Sequence, residues 1–234
     1  MARQVFPPNV VVKIITGAFF EYRHMKPAPR NLAPGGVIPE FDDDRIISDM
    51  EQFGYVRIDA LRDTPRGKRD WVVVLVLSNT GRFANHIPDF RSLLGGINSP
   101  SNTMSERLDE IIVVAEEKFF TKKILMDVIR NMQSSQVGGA DLDGKSPFYN
   151  VYHYYNFAHV VPENKSVQPH SIMSVEESKQ FLAAEYLYRE NLPTIFTTDA
   201  PIIWNGGREG QIVKITRDSQ TAGTAIYYRR IVRG

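Results

Sequence analysis

The chain has 234 residues, 42% of them hydrophobic, which is enough for one or two domains with real cores and excludes disorder throughout. Lysine and arginine total 28 against 27 acidic residues, a formal charge of +1, so no global field draws the protein to nucleic acid or to an anionic membrane. Cysteine is absent, which excludes disulfides, thiolate nucleophiles, zinc ribbons and iron–sulfur ligation and fits a reducing compartment. The first twenty residues mix Pro7, Pro8, Asn9 and Lys13 with apolar ones and lack a small-residue cleavage site, so they read as a mature, soluble N-terminus. The longest apolar run, WVVVLVL, is far short of a membrane span, and no membrane partner is expected.

In chain order, Pro7 and Pro8 suit a helix start. Val11, Ile14, Ile15, Ala18, Phe19 and Tyr22 recur at helical spacing, predicting a helix over about residues 8–25. From Lys26 to Glu40, four prolines and Gly35-Gly36 predict a surface loop. Asp42 to Asp44 can cap a second helix with Ile46, Ile47, Met50 and Phe53 inward and Gly54 as its stop. Tyr55–Ile58 and Trp71–Ser78 read as strands joined by a basic turn, and the second lacks polar alternation, so both its faces should be covered. Ile111–Ala115 is a further buried strand. Thr121 can cap a helix carrying Ile124, Val128 and Met132, and Tyr149–Phe157 returns to strand-type residues. Strands interleaved with helices give a mixed α/β domain over residues 1–158.

Residues 159–234 read as a small α+β module. Ser174 and Glu177 form a capping box for a helix whose apolar side is Phe181, Leu182, Ala184 and Tyr186 and which ends by Asn191 and Pro193. Short strands follow in LPTIF, GQIVKITR and TAIYYRRIV, the last two forming a C-terminal β-hairpin, so the fold class is α/β in the α+β sense. Along the hairpin Val213, Ile215 and Arg217 take one face and Ile212, Lys214 and Thr216 the other. A six-residue connection, DSQTAG, is expected to hold its turn through Ser219 and Thr221.

From residue 203 onward six basic residues meet two acidic ones, a local charge of +4 on a near-neutral protein. Such a surface is a solvated strand face, a phosphate-contacting face, or a protein interface in which Arg229, Arg230, Tyr227 and Tyr228 act as anchors. Upstream, Lys118, Thr121, Lys122 and Lys123 lie at an expected loop and helix start. There, free N–H groups and the dipole favour a phosphate, the alternative being a solvated, capped helix end. RDTPRGKR, with Arg62, Arg66, Lys68 and Arg69, is a second basic patch, either solvated or DNA-facing.

The segment LPTIFTTDAPIIWNGGREGQIVKITRDSQTAGTAIYYRRIV resembles the C-terminal module of the fifth-subunit family of DNA-dependent RNA polymerases, a family with archaeal members. The matching positions are Leu192, Pro193, Asp199, Gly210, Gln211, Val213, Lys214, Ile215, Arg217, Ser219, Thr221, Ala222, Gly223, Tyr228 and Arg229. Asp218 stands where the family has proline, Gln220 where it has glutamate, and Pro201 falls later than the family's Asp-Pro. VVPENKSVQPHSIMSVEE is similar to the family's link into the helix, with extra residues before His170. The Trp204-Asn205-Gly206-Gly207 turn is closer to versions encoded by large cytoplasmic DNA viruses. IIVVAEEKFFTKKILMDVI, FFEYRHM and FRSLL resemble first-domain segments of the family.

The resemblance implies a non-catalytic polymerase subunit that takes no cofactor and no small-molecule ligand. Its C-terminal module would be an assembly domain docked on the largest subunit through Gly210, Gln211, Lys214, Arg217, Ser219, Thr221, Ala222, Gly223, Tyr228 and Arg229. Its first domain would be a jaw beside downstream duplex DNA, with Lys118, Thr121, Lys122 and Lys123 as the candidate contacts. A viral source would place it in the virion and in the cytoplasm or nucleus of infected cells; otherwise the nucleus is expected.

Other chemistry has weaker support. Glu116 or Glu117 with Lys118, together with Asp59, suggests the acidic pair and lysine of a metal-dependent nuclease, the alternative from another class. His153 and His159 are not spaced as a helical zinc pair, and no metal is expected. There is no Gly-x-Ser-x-Gly elbow, and the glycine pairs do not form a phosphate loop. Tyr149, Tyr152, Tyr154 and Tyr155 could stack on bases or divide between core and surface.

Overall fold

The helix that the two prolines announce is α1 (Pro8–Ile14), with Pro7 at the N-cap, followed without a break by a π-helical turn (Ile15–Phe19) and α2 (Phe20–Tyr22). The computed structural model describes residues 6–28, 43–63, 68–78, 107–116, 147–219 and 223–234. The buried side chains are Val11, Val12, Ile15, Phe19 and Phe20, a different set from the one a uniform 3.6-residue period selects. The wider π turn rotates the helix enough to bring Phe20 onto the inward face, and Ile14, Ala18 and Tyr22 are only half-buried. The helix also ends three residues earlier than its periodicity predicts. His24 takes a positive φ of 52°, and Met25 opens an edge strand, β1 (Met25–Pro27). Lys26 and Pro27, expected in the loop, thus pair with β2, and an edge is where a strand tolerates proline.

α3 (Asp43–Phe53) ends at Gly54, whose φ of 77° provides the left-handed stop. Ile46 and Met50 face inward, but Ile47 and Phe53, expected with them, are exposed, Phe53 resting against the Tyr55 ring. Asp43 ties α3 to α1, accepting hydrogen bonds from Asn9 Nδ2 at 2.7 Å and Lys13 Nζ at 2.9 Å.

A mixed five-stranded sheet carries this part: β1, β2 (Tyr55–Asp63), β3 (Arg69–Leu77), β4 (Arg107–Ala115) and β5 (Phe148–His153), in that spatial order. β1–β2 and β2–β3 are antiparallel; β3–β4 and β4–β5 are parallel. β2 and β3 run on until Asp63 faces Arg69, so half of the basic "turn" is ladder; the connection is 64–68, of which 64–67 lie outside the described residues. Every residue from Trp71 to Leu77 is buried, as the uninterrupted apolar run requires. Tyr154–Phe157, expected to continue β5, is instead a 3-10 turn. His153 and Asn156 cap it reciprocally, and Phe157 meets Phe19 edge-on at 5.0 Å. The expected helix over residues 121–132 lies outside the described residues.

By internal packing the chain divides into two units, Met1–Ala158 and His159–Gly234. The second unit has its own four-stranded sheet, ordered β6 (His170–Ile172), β8 (Ile212–Ser219), β9 (Gly223–Val232), β7 (Thr194–Phe196). Its core is Ile195, Ile202, Val213, Ile215 and Ile231, with Ile172 against it. α4 (Val175–Ala184) starts at the expected capping box: Ser174 Oγ accepts from the Glu177 N–H at 3.1 Å, and Glu177 Oε2 accepts from the Ser174 N–H at 2.8 Å. Its expected apolar side is not a core face, because Phe181 and Leu182 are half-buried and Ala184 and Tyr186 exposed. α5 (Ala200–Asn205) was not anticipated; Ile202, Ile203 and Trp204 are buried in it, and Gly206 closes it at φ 68°. Two sheets with flanking helices make the protein α+β.

Candidate partner-binding site

The C-terminal hairpin is the centre of the second unit rather than an appendage. β8 and β9 pair antiparallel without interruption from Ile212 opposite Arg230 to Ser219 opposite Gly223. The connection is therefore the three residues 220–222 and not six. Asp218 and Ser219 belong to the ladder, and Gly223, at φ 70°, takes the left-handed conformation at the turn exit.

Cross-strand partners share a face, so Val213, Ile215, Arg217, Ala225, Tyr227 and Arg229 lie on one side and Ile212, Lys214, Thr216, Ile226, Tyr228 and Arg230 on the other. On the first side Val213 and Ile215 of β8 are buried in the core, while their partners on β9, Arg229 and Tyr227, are exposed, as is Arg217 nearer the tip. Arg229 Nη1 donates to the Thr194 carbonyl at 3.2 Å, which orients its guanidinium while leaving it at the surface. The second side receives α4. Phe181 stacks on Tyr228 with centroids 3.9 Å apart, and Ser171, Met173, Glu177, Gln180, Lys214 and Tyr228 line an open groove of about 440 Å³. Backbone and side-chain hydrogen bonds at Ser174, and to a lesser degree the Lys214 charge, hold the Glu177 carboxyl below the usual range.

The ten residues assigned to the interface divide by role. Gly210 has φ 84° and donates its N–H to the Ile231 carbonyl at 2.9 Å. Gln211 Oε1 accepts from the Arg208 N–H at 2.7 Å. Gly210 shapes the entry to β8 by its backbone conformation and Gln211 by its side-chain oxygen. Lys214 and Tyr228 line the groove, Arg217 and Arg229 stand exposed, and Gly223 and Ser219 close the ladder. Thr221 and Ala222 lie outside the described residues.

So do Lys118, Thr121, Lys122 and Lys123, and also Arg66 of the second basic patch. Arg62 of that patch is committed inward, donating to Asp109 and, at 3.3 Å, to Glu110. Asp59, offered as a metal-binding acid at a strand end, sits within β2. It accepts from Arg57 Nε and Nη2 and from Trp71 Nε1, each at 2.9 Å. Among the described residues no three histidines, aspartates or glutamates gather as a metal site. Of the four tyrosines, Tyr152 and Tyr154 are buried, Tyr149 is half-buried, and Tyr155 is exposed, stacking on His153 at 4.9 Å.

Sequence reading missed the stretch after α4, where Tyr186 is 93% and Tyr188 77% exposed, with Tyr186 at a positive φ of 53°. Two tyrosines flanking Leu187 just past a helix end were the available signal. It also missed α5, although Pro201 near its start and Gly206 after it are ordinary helix punctuation.

The sequence matches the family model described as RNA polymerase Rpb5, C-terminal domain, over residues 160–231. It is 29% identical over 164 residues to the DNA-directed RNA polymerase RPB5 homolog of African swine fever virus (strain Badajoz 1971 Vero-adapted), covering 69% of this chain and 73% of that one. The DNA-directed RNA polymerase subunit Rpo5 of Nitrosopumilus maritimus is 38% identical over 73 residues, 31% of this chain and 88% of the relative. Rpo5 of Methanosarcina mazei is 41% identical over 70 residues, 30% of this chain and 90% of the relative.

Proposed function

Because the chain belongs to the Rpb5/Rpo5 family of DNA-directed RNA polymerase subunits, we propose that it is a non-catalytic subunit whose second unit docks on the largest polymerase subunit while its first unit lies beside downstream duplex DNA. The observation that carries the docking half is one of length. The archaeal subunits match over 70 and 73 residues that make up about nine-tenths of each, a stretch about as long as the family-model match at 160–231. A module of that size is nearly the whole of an archaeal subunit, so the means of joining the enzyme belong to it. The exposed Arg217, Tyr227 and Arg229 suit that role, since arginine and tyrosine are the side chains that anchor protein interfaces.

The jaw half rests on Lys118, Lys122 and Lys123 and on the viral relatives, whose match extends over 164 residues and so beyond the length of the C-terminal module. Those relatives also support action in an infected cell, in virion, cytoplasm or nucleus. Nucleotidyl transfer and its metal chemistry belong to the partner subunits, and the chain needs neither cofactor nor small-molecule ligand of its own.

Affinity purification of the tagged full chain from its native source tests the reading: the two large polymerase subunits are expected with it, and their absence would overturn it. The alternative, a free-standing metal-dependent nuclease, predicts DNA cleavage by the isolated chain across a divalent-metal series. The carboxylate of Asp59 is already engaged by Arg57 and Trp71, which disfavours it.

A further inference from the structure

The hairpin is longer than the sheet that contains it. β7 pairs with β9 only at residues 230–232, and β6 pairs with β8 only at residues 213–215. Toward the tip the two strands continue as a ribbon that no other described strand flanks. Two hydrogen bonds fix which backbone groups face outward. The Arg230 N–H donates to the Pro193 carbonyl, on the β7 side, at 2.8 Å; the Ile231 N–H donates to the Gln211 carbonyl, on the β8 side, at 2.9 Å. Since direction alternates along a strand, the amides and carbonyls of Thr224, Ile226 and Tyr228 point to the outer edge of β9, where the described residues place no strand.

Natural sheets blunt such an edge with proline, lysine or a bulge, because unpaired backbone groups recruit another strand. Gly223–Tyr228 has no proline or lysine, its register with β8 is unbroken, and Ile226 and Tyr227 are 48% and 49% exposed. The edge thus has the character of one that is covered in the working state. Charge indicates what covers it. Arg217 and Arg229 stand exposed on the Tyr227 side, and that side of the hairpin bears no acid to answer them. On the other side Arg230 Nε is buried and has no hydrogen-bond partner among the described residues.

We infer that the outer edge of β9, from Gly223 to Tyr228, receives an extended, acid-bearing segment of a larger polymerase subunit as an added strand. Main-chain hydrogen bonds to Thr224, Ile226 and Tyr228 supply affinity. Side chains of the incoming strand alternate, carboxylates falling beside Arg229 and facing Arg217 across the small Ala225, and apolar groups beside Ile226, which supplies selectivity. The inference rests on the reading that the second unit seats the chain in the polymerase, and it adds the manner of seating.

Two measurements on the full chain test it. The first is residue-resolved hydrogen exchange of the free chain and of the chain in the purified polymerase. The amides of Thr224, Ile226 and Tyr228 are expected to slow by about tenfold or more on assembly, while Ala225, Tyr227 and Arg229, already bonded to β8, change little. The second compares Ile226→Pro, which removes one outward N–H and leaves the β8 ladder intact, with Ile226→Thr, which keeps it. The proline variant is expected to lose about tenfold or more in co-isolation of the large subunits, and the threonine variant to retain most of it.

If the wild-type chain co-isolates with polymerase but the three amides exchange equally fast in both states, the inference fails and the reading beneath it stands. If the wild-type chain brings down no polymerase subunits, the reading itself fails. Concentration-dependent protection of the same amides in the chain alone would make a second copy the occupant and overturn the proposal. Should Ile226→Pro not fold, the exchange comparison decides.

Discussion

The Arg23 guanidinium lies 2.8 Å from the Glu110 carboxylate with both side chains buried, joining the end of the N-terminal helix to β4 across 87 residues of sequence. Glu110 also accepts from Asn150 Nδ2 at 2.6 Å and Arg62 Nη1 at 3.3 Å. A register irregularity in the pairing of β4 with β3, where Trp71 faces Leu108 but Val72 faces Glu110, lets adjacent acids Asp109 and Glu110 both meet Arg62. Burial alone would lower the Arg23 pKa, but attraction to Glu110 and Tyr152 outweighs it and the pKa is raised.

Removing one partner leaves an uncompensated buried charge. Glu110→Gln is therefore expected to destabilise the first unit by about 3–5 kcal/mol in urea unfolding of the full chain. Replacing both Arg23 and Glu110 with apolar residues should recover part of that loss. A Glu110→Gln variant that unfolds at the wild-type midpoint would show the pair to be inert.

Gly207 predicts a packing effect in the second unit. A Cβ placed there would lie 2.7 Å from Ile231 Cδ1, 2.8 Å from Ile202 Cγ2 and 3.0 Å from Ile172 Cδ1, all core side chains that would have to move together. Gly207→Ala should cost about 1–3 kcal/mol by overpacking, read as a lowered thermal midpoint with shifted methyl resonances of Ile202 and Ile231. Unchanged methyl positions would show that the core yields freely.

The α4 capping box predicts a pH effect of fixed sign. Hydrogen bonding from the Ser174 N–H, then from its side chain, and then the Lys214 charge hold the Glu177 carboxyl below its usual value. A depressed folded-state pKa gives stability that is present above the unfolded-state value and is lost as pH falls through the folded-state value. The stability difference between wild type and Glu177→Ala should therefore be full at neutral pH and shrink in mild acid. A difference that grows on acidification would have the wrong sign.

How far the fold could be read from the sequence depended on how local each cause was. The apolar run of β3 and the Ser174–Glu177 box are local, and β3 and the start of α4 form where their residues place them, although α4 ends at Ala184, before the Tyr186 expected on it. The end of α1–α2 was displaced by a π turn, whose extra residue no 3.6-residue template contains. Tyr154–Phe157 carries strand-type side chains, yet the cap between His153 and Asn156 turns it into a 3-10 helix. At six residues, α5 is too short for periodicity to reveal. The hairpin sequence carried the alternation and the exposed arginines, but the length of its connection depended on pairing between Ser219 and Gly223. The Arg23–Glu110 pair and the overhang of β8–β9 beyond β6 and β7 are relations between distant segments, invisible to any window.

The jaw reading predicts a salt-dependent interaction with DNA. Changing Lys118, Lys122 and Lys123 to alanine should lower the slope of log affinity against log salt for retention of downstream duplex by the assembled polymerase, by about 0.9 for each phosphate no longer neutralised. An unchanged slope would remove these lysines from the DNA path.

The central claim is that the C-terminal hairpin seats this chain in the polymerase. Deleting residues 208–234 would remove β8 and β9, the two central strands of the second sheet, and so would test folding rather than docking. Charge reversal at the exposed Arg217 and Arg229, in the full chain, leaves the isoleucine core in place. The most direct measurement is the amount of the two large polymerase subunits co-isolated with tagged wild-type and Arg217→Glu/Arg229→Glu chains of equal thermal stability. The account predicts that the wild-type chain brings both down and the double variant loses most of them; equal recovery by the two chains would contradict it.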